Sequence, residues 1–180
     1  THTENALGYV HKILINSALV SAQNRNRYYW TSFKVEQPED KGILLKDIIE
    51  HGDFFPVART CELREKPPVP SALCHHVATA TDINNNETNL RVYADTGKGP
   101  TLNTMGGGNR EPKLYIGNAK YRKLTPRECF RLQTVPEQYI NILLSSGISN
   151  SQLYRLAGNG WTIEVIAHIY QSGKIIHKNK

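Results

Sequence analysis

Long apolar runs are missing from this chain. No stretch approaches the roughly 20 apolar residues that a helix needs to cross a bilayer, so a soluble protein without a membrane partner is expected. No cationic-then-apolar leader opens the sequence, so nothing points to secretion. Cysteine is scarce: Cys61, Cys74 and Cys129 show no tight pairing, which argues against a disulfide framework and fits a reducing compartment. Met105 is the sole methionine and the chain opens on Thr1, so a piece of a longer product is expected. Internal repeats are also lacking, and Asn84-Asn85-Asn86 is too short for a low-complexity tract and reads as a surface loop.

Acidic residues are in deficit. The 180 residues carry 22 Lys and Arg against 16 Asp and Glu, a formal net charge of +6. A basic surplus favours a polyanionic partner, nucleic acid above all, through counterion release, although many soluble proteins are mildly basic for no functional reason. Hydrophobic residues make up 39%, which suffices for a modest core in one ordinary domain or two small ones.

The chain divides into three sections. In the first, 1–33, the apolar, partly β-branched run 9–15 reads as a buried strand and the aromatic run 27–33 as a second, joined by the polar turn 21–26. The two strands should be adjacent and should pack on an apolar helix near the C-terminus. The second section, 34–117, is expected to be an irregular, strand-poor or small-sheet lobe. It holds one short helix candidate at 44–50 ended by Gly52, then Pro67, Pro68 and Pro70, a polar run at 82–89, and short strand candidates at 90–93 and 113–116. The third section, 118–180, is helical. Thr125-Pro126-Arg127-Glu128 is a capping box with proline at the first helical position, opening a helix to about 133. Further helices are predicted at 137–144, at 151–157 with Gly158 as a left-handed cap, and from Thr162 to Gly173 with Ile163, Ile166 and Ile169 on one face. The basic tail 174–180 is expected to fray.

Three motifs carry chemistry. The first is Gln23-Asn24-Arg25-Asn26-Arg27 at the entrance to a strand. Its two guanidinium forks are expected to face opposite ways, one holding a phosphate and the other reaching into a pocket; taken alone, the pair reads first as ordinary solvated surface arginines. The second runs Arg122-Lys123-Leu124-Thr125-Pro126-Arg127-Glu128-Cys129-Phe130-Arg131-Leu132-Gln133. It presents a helix N-terminus that suits an anion, or plain capping, and Cys129 reads as a small core residue rather than a nucleophile. The third is Gln152-Leu153-Tyr154-Arg155-Leu156-Ala157-Gly158-Asn159-Gly160-Trp161-Thr162, a turn that could border a small ligand or simply connect two helices. Zinc binding by Cys61, Cys74, His75 and His76 is a remote idea, because those ligands lack the paired spacing of a structural site, and no metal is expected.

Together the three motifs resemble the DNA (cytosine-5) methyltransferase family. That family carries a Gln-x-Arg-x-Arg element, a variable target-recognition region, an Arg-x-Leu-x-Pro-Arg-Glu-x-x-Arg-Leu-Gln element and a Gln-x-Tyr-x-x-x-Gly-Asn element, and all occur here in that order. Arg91-Val92-Tyr93, Gly97, the run Pro100-Thr101-Leu102-Asn103-Thr104, then Gly106-Gly107-Gly108 and Glu111-Pro112-Lys113 are similar to the end of a family recognition region. The resemblance covers almost the whole chain, with 34–89 the least alike. Tyr28-Tyr29-Trp30 and Gly160-Trp161 look most like the branch that includes phage enzymes and the animal de novo enzymes. The resemblance implies an α/β fold: the C-terminal part of a Rossmann-like, S-adenosylmethionine-dependent methyltransferase with a small irregular target-recognition lobe. It implies last strands of the catalytic domain over 1–33, the recognition region over 34–117 and a helical return to the catalytic domain over 118–180.

By position, Arg27 would contact a flipped cytosine and Arg25 would help hold the backbone and catalytic loop. Asn159 and Gly160 would border S-adenosylmethionine. Thr101, Thr104, Gly106, Gly107, Gly108 and Arg110 would face double-stranded DNA, with glycines allowing close backbone approach. Arg127 and Arg131 would be structural or positioning residues. The departures matter equally. No Pro-Cys dipeptide occurs, so the family's nucleophile is missing, together with its Glu-Asn-Val element and its Gly-rich cofactor loop. The expectation is a chain that supplies target recognition and part of the active-site wall, inactive alone, working in the cytoplasm of a bacterial or phage-infected cell, as in restriction-modification. Its partner would be the N-terminal half, fused or separate. The alternative is a non-catalytic DNA-binding subunit.

Overall fold

The computed structural model describes residues 6, 8–51, 58–105 and 108–178. Two strands open the fold, β1 (His11–Asn16) and β2 (Asn26–Thr31), paired antiparallel with Ile13 opposite Tyr29 and Ile15 opposite Arg27. Side chains alternate across a strand. Ile13, Ile15 and Tyr29 therefore share one face and pack with Val20, Val35, Val165 and Ile169. The last two belong to the final helix, α5 (Ile163–Lys178), so the strands and that helix meet as expected, but through Val165 and Ile169 rather than the predicted Ile163, Ile166 and Ile169 face, of which Ile163 is exposed. The other face of the pair leaves Leu14, Tyr28 and Trp30 exposed, with the Lys12 ammonium 4.5 Å from the centre of the Tyr28 ring.

The middle of the chain is more regular than its prolines and asparagines suggest. Strands β3 (Arg59–Leu63), β4 (His76–Ala80), β5 (Arg91–Tyr93), β6 (Lys113–Tyr115) and β7 (Lys120–Lys123) close into a barrel in that order. β5 and β6 run parallel, the other neighbours antiparallel, and β3 pairs β7 to close the ring. Pro67, Pro68 and Pro70 lie in the β3–β4 connection, where no ladder hydrogen bond is lost. The interior is filled by Cys61, Ala78, Ala80, Val92 and Tyr121. The barrel's last strand lies beyond residue 117, and among the described residues no strand ladder joins the barrel to β1 and β2, although an isolated bridge pairs Gln23 with Gly99. Asn84-Asn85-Asn86 is loop as expected, and the polar run 82–89 ends in the start of a short helix, α1 (Glu87–Leu90), capped by the Asn86 side chain.

The predicted helix at 44–50 is reduced to a 3₁₀ turn, Leu45–Asp47. Its first backbone donors are engaged elsewhere: Leu45 N–H bonds the Gly97 carbonyl and Lys46 N–H the Asp95 carbonyl, both at 2.9 Å. Gly52 lies outside the described residues. The capping box forms as predicted, Thr125 and Glu128 bonding reciprocally at the start of α2 (Pro126–Leu132). Helices α3 (Glu137–Ser145) and α4 (Asn150–Asn159) follow. Leu102, Leu114, Leu124, Phe130, Leu132, Ile140 and Leu153 join barrel end and helices in one core.

Two helix ends differ from expectation. α4 runs through Gly158, and α5 runs through Gly173 to Lys178. Neither glycine has the positive φ of a left-handed cap. A Cβ at Gly158 would lie 1.7 Å from the Asn103 carbonyl oxygen, and one at Gly173 would lie 2.7 Å from the Phe33 ring. Both positions need glycine so that another segment can press against the helix. A fully buried ion pair fixes α2 to β7: Arg122 Nη1 donates to Glu128 Oε2 at 2.8 Å and Nη2 to Oε1 at 2.6 Å. The Glu128 carboxylate also accepts the backbone N–H of Glu50 at 2.8 Å and of Thr125 at 2.7 Å, so each of its oxygens is satisfied.

Candidate functional site

The three motifs, far apart in sequence, meet. Arg25 sits just ahead of β2 and is 7% exposed. Its Nη1 donates to the Leu102 carbonyl at 2.9 Å; its Nη2 donates to the carbonyls of Gly160 at 3.2 Å and Gly158 at 3.4 Å. The last carbonyls of a helix lack internal partners and carry its negative end, and the guanidinium fork caps them at α4. Burial, and secondarily Arg27, push the Arg25 pKa below the ordinary arginine value. Gln133, which ends the second motif, reaches the same turn: its Nε2 donates to Ala157 O at 2.7 Å and Gly160 O at 3.2 Å. Gln133 Oε1 accepts from the Thr162 hydroxyl at 3.0 Å, and Ser17 Oγ lies 2.7 Å from that hydroxyl. Buried Lys98 adds a further tie, donating to the carbonyls of Ala18 at 2.6 Å and Ser21 at 3.1 Å, and burial lowers its pKa.

Beside this clamp lies a cavity of about 240 Å³ lined by Arg25, Arg27, Tyr28, Tyr29, Asn159, Trp161 and Ile166. The expectation that the two arginines face opposite ways is wrong. Residues two apart in extended chain share a side, and both line this cavity. What separates them is depth: Arg25 is buried and committed to three carbonyls, whereas Arg27 is exposed and, among the described residues, donates locally, to the Asn26 carbonyl at 2.7 Å. Asn159 is exposed at the end of α4 and Gly160 is half-buried. Both also border an open apolar groove of about 630 Å³ whose lining includes Trp161, Ile163, Ile166 and Tyr170. Such a groove offers aromatic faces and two side-chain amides, Gln133 already bonded within the fold and Asn159, suited to a flat ring with polar edges, but among the described residues no carboxylate for a ribose or an ammonium.

The residues carried over as DNA-facing lie on one stretch. Thr101 is exposed and its hydroxyl donates to the Asn24 carbonyl at 2.5 Å, next to the first motif. Thr104 and Arg110 are exposed, and Arg110 shares a small cleft with Thr101 and Asn103. Gly108 has φ +70° and its carbonyl accepts a hydrogen bond from the Asn85 amide. Gly106 and Gly107 lie outside the described residues. Arg127 and Arg131 are spoken for within the fold: Arg127 pairs with Glu50 at 3.1 Å and Glu137 at 2.6 Å, and Arg131 with Glu137 at 2.5 Å and the Ile48 carbonyl at 2.9 Å. Cys129 is buried, and that burial raises its thiol pKa well above the ordinary value, so it is core and not nucleophile. Among the described residues no three His, Cys, Asp or Glu side chains are grouped to hold a metal ion, and no helix is long and apolar enough to cross a membrane. Sequence reasoning gave no role to Gln133, Lys98 or the close packing of Gly158. Gln133 alone had a visible signal, a polar side chain directly after a core leucine at a helix end.

A profile of the C-5 cytosine-specific DNA methylase family matches residues 71–174, more than half of the chain, and the chain belongs to that family. It is similar to the orphan methyltransferase M.SPBetaI of Bacillus phage SPbeta, 32% identical over 142 aligned residues covering 53% of this chain and 32% of the phage protein. It is also similar to the type II methyltransferase M.Bsp6I of a Bacillus species, 29% identical, with 82% of this chain and 46% of that protein covered. The chain thus spans a third to a half of the lengths of these relatives. In fold, the S. pombe Dnmt2 methyltransferase superposes with a TM-score of 0.61 at 15% identity, covering 96% of this chain and 58% of that one. The fold is α/β, that of a portion of a methyltransferase of this family.

Proposed function

We propose that this chain is the target-recognition and active-site-wall portion of an enzyme that methylates cytosine at C5 in double-stranded DNA. The observation that carries the reading is that the first and third family motifs line one cavity, beside a turn held by Gln133 of the second, with Arg27 exposed among its lining residues. In such an enzyme the target base leaves the stack and enters a pocket. Arg27 would donate to the flipped cytosine and stabilise charge that develops on it. Arg25 would position rather than react: its three carbonyl contacts hold the 101–104 segment and the Gly158–Gly160 turn in fixed relation to β2. Thr101, Thr104, Arg110 and the 106–108 glycines would face the duplex from the same segment.

S-adenosylmethionine would supply the methyl group. The residues here fit only one side of it: the apolar groove with Trp161 suits a purine ring, Asn159 and Gly160 would border it, and partners for its charged end lie elsewhere. The nucleophilic cysteine must likewise come from a catalytic half, fused or separate. The exposed Leu14, Tyr28 and Trp30 of the two-stranded sheet and the exposed Trp161 and Tyr170 support such a partner, since a lone pair of strands is marginal and large apolar surface favours cover.

The test is methyl incorporation into duplex DNA. The 180-residue chain alone should bind DNA weakly, with strong salt dependence, and transfer nothing. Joined to a catalytic half carrying the Pro-Cys element, taken from a phage relative, it should methylate cytosine. Methyl transfer by the chain alone would contradict this reading, as would a completed enzyme that binds DNA without transfer.

A further inference from the structure

Lys113 heads β6 and is 2% exposed, yet among the described residues no carboxylate pairs with it. Its ammonium donates to three backbone carbonyls: Asn89 at 2.6 Å, Asn109 at 2.7 Å and Glu111 at 3.1 Å. An ammonium has three donors and no acceptor, so each donor is matched to one carbonyl. Two of those carbonyls belong to the segment 108–112 and the third to α1, across the barrel rim. The segment needs holding. Asn109 has φ +58°, a left-handed conformation that a non-glycine residue enters at a penalty. Around Lys113 the Asn109 side chain lies 3.5 Å from Arg59 and Glu111 pairs with Lys123 at 3.0 Å, so the segment hangs on cations of the barrel.

We infer that Lys113 is a positioning residue for DNA recognition: its ammonium pins the 108–112 segment to α1 and so fixes how Arg110, and the glycines before it, meet the duplex. This rests on the reading of that segment as DNA-facing. Lys113 is itself buried and touches no phosphate. A neutral amine would still supply two donors to the three carbonyls. Burial lowers the group from the ordinary lysine value of 10.5 to about 8; Lys123 and Arg59 push in the same direction, and the Glu111 and Asp82 carboxylates oppose them. Burial disfavours the charged form in the pinned state relative to a released, solvated one, so the hold, and with it recognition, should strengthen as pH rises above about 8.

The experiment uses the 180-residue chain, wild type, Lys113→Met and Lys113→Arg. Affinity for a cytosine-containing duplex is measured by fluorescence anisotropy from about pH 6.5 to 9.5 and over a salt series, alongside intrinsic-rate-corrected amide-exchange protection of 108–112. Lys113→Met should lower affinity about tenfold, the equivalent of one charge-assisted hydrogen bond. It should also lower loop protection, abolish the pH step and leave the salt slope unchanged. Lys113→Arg should stay charged and show no step. Wild-type affinity and protection in Lys113→Met would overturn the inference, as would a salt slope smaller by about one counterion, which marks a plain phosphate contact. Should the wild-type chain fail to bind DNA at any salt, the DNA reading fails, and protection then judges the lysine by itself. If Lys113→Met does not fold, the wild-type profile decides: protection of 108–112 that is flat from about pH 7 to 9.5 overturns the inference.

Discussion

Replacing Gly158 with alanine should destabilise the fold, against the intrinsic trend. Gly158 is inside α4 with ordinary helical backbone, where alanine is normally better by about 1 kcal/mol. Here the new methyl would lie 1.7 Å from the Asn103 oxygen, 2.6 Å from its carbonyl carbon and 3.1 Å from the Thr104 Cα. All three are backbone atoms, so no side chain can swing aside. Ordinary contact distances of about 3.5 Å require a shift of roughly 1.5 Å or more between α4 and the 102–104 segment. That shift breaks the Arg25 bond to the Leu102 carbonyl and opens the core over Leu102 and Met105, each 2% exposed. Overpacking costs about 1–3 kcal/mol and a charge-assisted hydrogen bond about 1.5–3. After the helix-propensity gain, a net loss of roughly 2–4 kcal/mol follows, or a fall in Tm of about 5–15 °C for a chain of this size. Thermal unfolding by circular dichroism, with urea titration at 25 °C, measures it. Gly173→Ala, which meets the Phe33 ring rather than backbone, should lose less. A Gly158→Ala chain as stable as wild type would refute the close-approach argument.

Arg122→Met leaves Glu128 buried without its partner and should cost about 3–5 kcal/mol by urea unfolding, whereas replacing both members with apolar residues should recover much of it. The lowered pKa of Lys113 means that the unfolded chain binds more protons between about pH 8 and the ordinary value of 10.5, so this lysine's contribution to stability becomes more favourable as pH rises through that window. Comparing wild type with Lys113→Met at each pH isolates the effect, and a stability difference independent of pH would contradict it.

Much of the fold was legible because its signals are local. The capping box at Thr125–Glu128 is written in four adjacent residues, and β1 and β2 lie in short apolar and aromatic runs, although no polar alternation marks which face turns inward (Ile13, Ile15, Tyr29) and which outward (Leu14, Tyr28, Trp30). β3, β4 and β7 were not legible: Arg-Thr-Cys-Glu-Leu or Lys-Tyr-Arg-Lys has no isolated strand character, and each is stabilised by neighbours distant in sequence that close the barrel. Gly158 and Gly173 were misread for a related reason. A glycine near a helix end signals a cap when only the chain's own backbone is considered, but these two answer to Asn103 and Phe33, brought there by the tertiary fold. At the site, the motifs named Arg25 and Arg27 together, while their division into a buried clamp and a free donor depends on the carbonyls that surround one and not the other.

The central claim, that this chain forms part of the wall around a flipped cytosine, is tested most directly at Arg27 in the enzyme completed by its catalytic half. Single-turnover methylation at saturating DNA and salt-dependent affinity are measured on the same variants. A donor that acts mainly in the transition state affects rate more than binding. Arg27→Ala should therefore slow methyl transfer by on the order of a hundredfold or more with little change in DNA affinity, and Arg27→Lys, lacking the planar fork, should recover only part of the rate. Weaker DNA binding with a shallower salt dependence and a nearly unchanged single-turnover rate would make Arg27 a phosphate contact and contradict the account.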